Sequence, residues 1–268
     1  MPKTPNPFLE MTDAIAQVEH QQERPGASFT ETALPGFKQT LNARRAIREY
    51  DGNPIPEEVM RDCLRDAILA PSSSNLQSYE LYWVRDSEKK EKIAEACLAQ
   101  PAATTAGELV VVVARGDLWK NHLEKLVNIM THGGKKPLVG PLDDYYSRIV
   151  PMLMKDDKFG FNNLIRRFFY WFKGRQEPTI RTPVNRGDHR IYAHIQSSLA
   201  AQTLLLSLTA HGYDSCPIGG MDNLRIRKIL DLPAKAEVTM VIAAGRGRPE
   251  GLYGKRIRLA EGDLIKEI

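Results

Sequence analysis

Leu109-Val110-Val111-Val112-Val113-Ala114 is an unbroken aliphatic run with no polar alternation. That pattern predicts a strand covered on both faces, since a strand with one wet face alternates. Thirty residues upstream, Tyr79-Glu80-Leu81-Tyr82-Trp83-Val84 does alternate and is rich in β-formers, which predicts a second strand. Val238 to Ala244 reads as the last central strand. Helical patterns surround these runs. From Pro56 to Ala70, Val59, Cys63, Leu64, Ala67 and Ile68 recur at helical spacing, and Pro56 suits a first helical position. A charged helix is expected from Ser87 to about Leu98. Asp188 reads as the cap of a long helix from His189 to about Ala210. Its second half carries Leu204, Leu205, Leu206 and Leu208, apolar nearly all round, so it should be a core or interface helix. At the N-terminus, Asn6-Pro7 would cap a helix with Phe8, Met11, Ile15 and Val18 as its stripe. Residues 21 to 40, with Pro25, Gly26, Pro35 and Gly36, read as irregular. The sum is an α+β domain whose sheet has helices on its faces.

Bulk properties narrow the function. A chain of 268 residues suffices for one large domain or two small ones. A net charge of +4 is only mildly basic and argues against nucleic acid as an obligatory partner; there is no aromatic-basic RNA signature and no zinc spacing. Cys63, Cys97 and Cys216 are odd in number and far apart, which fits a reducing compartment rather than a disulfide framework. Met1-Pro2-Lys3-Thr4-Pro5 opens no apolar leader, and no run reaches transmembrane length, so a soluble cytoplasmic protein is expected and membrane contact is not.

Four short stretches carry the chemistry. Arg44-Arg45-Ala46-Ile47-Arg48 crowds guanidinium groups just before an Asp51-Gly52-Asn53-Pro54 turn, with no acidic residue among them. A phosphate would balance that charge, and arginine forks match its oxygens bidentately; a solvated basic turn would look the same. Pro71-Ser72-Ser73-Ser74-Asn75-Leu76-Gln77 follows a helix with a wall of small hydrogen-bonding groups, or with a plain polar connection. In Cys216-Pro217-Ile218-Gly219-Gly220-Met221-Asp222, paired glycines let backbone amides approach a flat ring with no Cβ in the way. Arg256-Ile257-Arg258 puts two guanidinium groups on one side of an extended segment. Gly245-Arg246-Gly247-Arg248 reads as a post-strand turn, because no helix pattern follows it.

In this order, the four stretches resemble the FMN-dependent nitroreductase family, over residues from about 40 to 262. The resemblance implies a mostly antiparallel central sheet flanked by helices, in an intertwined homodimer with two FMN sites at the subunit interface. It also implies ping-pong hydride transfer from NADH or NADPH, through FMN, to a small electron-poor acceptor such as a nitroaromatic or quinone. By the resemblance, Arg44, Arg256 and Arg258 meet the phosphate, with Arg45 and the backbone of Ala46 beside it. Arg48 corresponds to the cation at the flavin's pyrimidine end, where positive charge stabilises the reduced ring. Pro71, Ser72 and Ser73 would come from the other subunit, supported by Asn75. Gln100 would read the pyrimidine edge. Pro217, Ile218, Gly219 and Gly220 form the turn at flavin N5; many members carry glutamate where this chain has Gly219. Reductive dehalogenase and enone reductase branches of the family stay open, as does an FMN-binding protein whose insert docks a partner or membrane.

The resemblance implies residues 41–268 as the FMN-binding domain, 1–40 as an arm, and an insertion at about 117–187. Within the insertion, Phe161, Leu164, Ile165, Phe168, Phe169 and Phe172 line one face of a helix, opposite Arg166, Arg167, Tyr170 and Lys173. Packing on its own domain, a lid over the flavin, and membrane-surface binding are the three readings; packing with a partial lid is favoured. No side chain stands out as an acid or base. His189 and His194 fit helix-start or packing roles, and Cys216 a small buried residue.

Overall fold

The computed structural model describes residues 27–155, 168 and 170–268. Four strands form the sheet: β1 (Tyr79–Trp83), β2 (Glu108–Ala114), β3 (Asp214–Ile218) and β4 (Glu237–Gly245). Their order is β1-β2-β4-β3, and every neighbouring pair is antiparallel. The aliphatic run occupies β2 at the centre and is buried at every position. Both faces are covered, as its pattern required. On one face Val110, Val112 and Ile242 pack with Met60, Cys63, Leu204 and Leu208, from α2 (Glu57–Ala67) and α8 (Arg186–Ala210). On the other, Leu109, Val111, Val113 and Val241 meet Ile93 of α3 (Ser87–Ala96) and Ile226 of α9 (Asn223–Ile229). Leu204 and Leu208 are fully buried, and each such side chain contributes about 2 kcal/mol relative to exposure.

The helices α4 (Pro101–Thr104), α5 (Trp119–Met130), α6 (Pro141–Asp144) and α7 (Val150–Met154), with a π-helical turn over Tyr145–Ile149, lie between β1 and α8 in the chain. A last turn, α10 (Glu261–Leu264), ends it.

Several expectations need correction. Residues 27–40 are not irregular: α1 (Ala27–Ala43) runs through them with Pro35 inside, and it packs against α8. Packing against a long neighbour outweighs the propensity cost of one proline. Asp188 is not the cap of α8. Asn185 is, its side chain accepting from the Asp188 N–H at 3.0 Å, while Asp188 accepts from the Val184 N–H at 2.9 Å. Pro56 sits at the capping position rather than inside α2, which stops at Ala67 instead of Ala70. Cys216-Pro217-Ile218 is strand before it is turn. β3 lies at the sheet edge, where a proline costs no ladder bond. The Phe8–Val18 stripe lies outside the described residues, as do Phe161, Leu164, Ile165 and Phe169. Phe168 and Phe172 are exposed, and the Phe168 ring stacks on Trp171 at 5.9 Å. Among the described residues, no helix is long and apolar enough to cross a membrane.

The turn after the arginine stretch is seated against Gly107, the residue before β2. Asn53 donates its N–H to Asp51 at 2.9 Å, and its carbonyl sits against Gly107. A Cβ at Gly107 would stand 2.1 Å from the Asn53 carbonyl oxygen. Both sides of that contact are backbone, so no flexible side chain can yield. Gly107→Ala is therefore expected to cost about 2 kcal/mol and lower Tm by about 5 °C for a chain of this size. Thermal melting by circular dichroism reads it; an unchanged Tm would mean the turn shifts freely.

Candidate functional site

The arginine stretch is laid along β3. Ala46 bridges Ser215 in parallel, Ile47 donates its N–H to the Ser215 carbonyl at 3.3 Å, and Tyr50 bridges Gly247. Tyr50 anchors the stretch from below: its ring is buried, and its hydroxyl lies 2.7 Å from the Ile47 carbonyl and 3.2 Å from that of Ala243. A second line of bonds joins it to the segment after β4. Arg48 N–H donates to Gly251 at 2.9 Å, and Arg248 N–H donates to Glu49 at 2.9 Å. Held on both sides, the segment presents Arg44, Arg45 and Arg48 half-buried, beside the C-terminal strand's turn.

Arg256 and Arg258 return to the same place from the other end of the chain. Arg256 donates to the Arg44 carbonyl at 2.7 Å and to that of Asn42 at 2.9 Å, capping the last carbonyls of α1, where a cation is favoured. Arg45 donates to the Gly254 carbonyl at 2.6 Å. Burial first, then the charges of Arg256, Arg258 and Arg45, pull the Arg44 pKa below its ordinary value; Cys216 acts the other way. Arginine does not deprotonate in response. The cluster instead holds unbalanced positive charge, and no carboxylate is among the groups acting most strongly on Arg44. Arg48 stands slightly apart, over the Tyr253 ring at 5.0 Å. Nothing in the sequence signalled Tyr253, because a single exposed tyrosine in a tail has no pattern.

Beyond β3, a Cβ built on Gly219 meets nothing within 4 Å, so the backbone there borders open space. Gly220 differs: Gln100 donates its amide to the Gly220 carbonyl at 2.7 Å and to that of Cys97 at 2.9 Å. Gln100 is thus joined to the glycine turn, and its Nε2 is committed to backbone. Cys216 is buried beside Arg44 and Arg48; burial raises its thiol pKa while both arginines lower it. Pro217 is exposed and Ile218 buried, the alternation of an edge strand.

The structure brings together Arg44, Arg45, Ala46, Arg48, Arg256 and Arg258 with the Cys216 end of β3, and it ties Gln100 to Gly220. It does not bring Pro71, Ser72, Ser73 and Asn75 to them within one chain. The hydrogen bonds of that loop run to Gln77 and to Tyr145 instead.

A family model for the nitroreductase family matches residues 41–246. The chain belongs to the nitroreductase family. The match takes in the Arg44 stretch, the serine loop and the glycine turn, and ends before Arg256. An NADH dehydrogenase of Thermus thermophilus is 27% identical over 216 residues, 81% of this chain and 89% of that protein. A putative NAD(P)H nitroreductase of Bacillus subtilis is 24% identical over 232 residues, 86% of this chain and 98% of that protein. Among solved structures, a putative nitroreductase of Exiguobacterium sibiricum in complex with FMN superposes with a TM-score of 0.63 at 25% identity, covering 87% of this chain and 97% of that one. The nitroreductase α+β fold is shared with such neighbours.

Proposed function

We propose that this nitroreductase-family chain is an FMN-dependent oxidoreductase that uses NADH or NADPH. The observation that carries the reading is the cation cluster at Arg44, unbalanced by any carboxylate among the described groups acting most strongly on it, together with open backbone at Gly219. The donor set fits FMN: guanidinium groups suit a terminal phosphate, and a glycine shelf suits a planar ring. Arg44 and Arg258 would hold the phosphate, with Arg256 fixing the carbonyl of Arg44 and adding its charge. Arg45 and the Ala46 backbone would flank it. Arg48 would place positive charge at the pyrimidine end, favouring an anionic ring. Pro217 and Ile218 fix the strand that aims the Gly219 and Gly220 backbone, and Gln100 holds that turn. Bound there, FMN would carry hydride in two half-reactions, from the nicotinamide to an electron-poor acceptor such as a nitroaromatic or quinone.

We read the chain as a homodimer. Ile191, Ile195 and Leu199 make an exposed stripe on α8 at helical spacing, and Leu34, Phe37 and Leu41 are exposed on the neighbouring α1. Ile257, Leu259, Leu264 and Ile265 of the tail are exposed as well. Apolar surface of that extent is the mark of an interface. In the dimer, Pro71, Ser72 and Ser73, supported by Asn75, would line the facing subunit's cofactor. Residues 41–268 form the cofactor domain in this reading, with 1–40 an arm and 117–187 an insertion.

The purified protein should be yellow or take up FMN. Its flavin bands should bleach with NADH or NADPH without oxygen and return on adding a quinone or nitroaromatic. Flavin that neither nicotinamide bleaches would sink the donor assignment, and protein that takes up no FMN would sink the site.

A further inference from the structure

The serine loop is folded into a conformation that its residues do not favour. Ser74 and Asn75 have φ of 52°, and Gln77 has φ of 45°, so three non-glycine residues within four positions are left-handed. Such residues persist only where their surroundings hold them, and they concentrate at functional sites. Part of the restraint is local: Gln77 donates its N–H to Ser72 Oγ at 3.0 Å, and its amide to the Asn75 carbonyl and Oδ1, each at 3.0 Å.

The rest comes from the segment between Trp119 and Met154. The hydroxyls of Ser74 and Tyr145 are 2.8 Å apart. His122 Nδ1 is 3.0 Å from the Leu76 carbonyl, which can only accept, so Nδ1 carries the proton. Between these two bonds the Leu76 side chain is fully buried against Leu123, Val150 and Met154. One apolar plug and two polar ties, all to the same segment, thus grip Ser74 and Leu76 on either side of Asn75.

We propose that the segment from Trp119 to Met154 is a clamp that sets the shape of the Pro71–Asn75 wall, with Tyr145 and His122 as its positioning residues. The proposal rests on the reading that this wall lines the FMN of the facing subunit. The clamp gives the segment a role at the cofactor without touching it. Removing a tie lets the strained residues relax toward right-handed backbone and withdraws the wall from the ring.

Ser74→Ala, Tyr145→Phe and the double variant test this in the full-length protein, with FMN as probe. Fluorescence titration gives Kd, visible circular dichroism reports the ring's surroundings, and melting of the apo protein reports stability. Each single variant should weaken FMN about fivefold to tenfold, the effect of one hydrogen bond, and should change the visible dichroism. The double variant should be no weaker than either single one, because both hydroxyls serve the same bond. Kd within twofold of wild type in both single variants would overturn the clamp, as would a lowered apo Tm with Kd and dichroism unchanged. Multiplying losses in the double variant would overturn the shared tie. If Tyr145→Phe fails to fold, Ser74→Ala alone decides by the same Kd criterion. Wild-type protein that binds no FMN refutes the cofactor site itself, a result separate from any difference between variants.

Discussion

Arg44→Gln should weaken FMN binding by about 100-fold while leaving the apo protein at least as stable as wild type. The two halves of that expectation have one cause. Arg44 stands half-buried beside Arg256, Arg258 and Arg45, so in the apo protein its charge is disfavoured, first by burial and then by repulsion from those three. Neutralising it relieves that repulsion, and Tm without cofactor should hold or rise. With FMN present the balance reverses. A guanidinium gripping a phosphate with two charge-assisted bonds contributes about 3 kcal/mol or more, which is a factor of at least 100 in Kd. Arg44→Lys keeps the charge and loses the fork, so it should fall between, about tenfold weaker than wild type. Fluorescence titration and paired melts, with and without FMN, measure both quantities. If Arg44→Gln bound FMN within threefold of wild type, the cluster would not be the phosphate site. If its apo Tm fell by many degrees, Arg44 would be a structural residue instead.

Ile195→Asp should convert the proposed dimer into monomer and strip the cofactor in the same step. Ile195 is the middle residue of the exposed α8 stripe, between Ile191 and Leu199. A carboxylate buried there against apolar surface costs several kcal/mol. In a two-fold interface every substitution enters twice. Sedimentation equilibrium should then give the single-chain mass of 30.2 kDa rather than twice that. FMN should go as well, since a wall supplied by the facing subunit leaves with it. A monomer that keeps FMN at wild-type affinity would show that the wall is not needed from the partner. A dimer that survives would place the interface elsewhere.

Much of the architecture was legible in the sequence, for identifiable reasons. A buried central strand such as Leu109–Ala114 admits almost no polar residue, so its pattern is strong. The Leu204 and Leu208 helix was equally plain, because it is apolar where it crosses the sheet. β3 was hidden by Pro217, which an edge strand tolerates and a central one does not. α1 was hidden by Pro35 and Gly36, whose local cost is outweighed by a neighbour that a sequence window cannot contain. Asn185 lost the capping role to Asp188 by three positions, within the usual blur of helix boundaries. At the site, the arginines stood out because unbalanced charge is rare. The acceptors that organise them were invisible: Arg256 binds the carbonyls of Asn42 and Arg44, and backbone carbonyls leave no trace in residue type. The Tyr145 to Ser74 bond spans 71 residues between two ordinary hydroxyls, and only folding brings them together.

The bond from Arg256 to Arg44 has a consequence for how the protein is made. It joins residues 212 apart. A chain still on the ribosome exposes Arg44 some two hundred residues before Arg256 and Arg258. The guanidinium cluster therefore cannot assemble until Arg256 and Arg258 have left the exit tunnel. Earlier contacts, such as α2 against β2, can form before the segment carrying Arg256 has emerged. If the cluster is the proposed phosphate site, a chain truncated before residue 256 should keep the sheet and lose FMN binding.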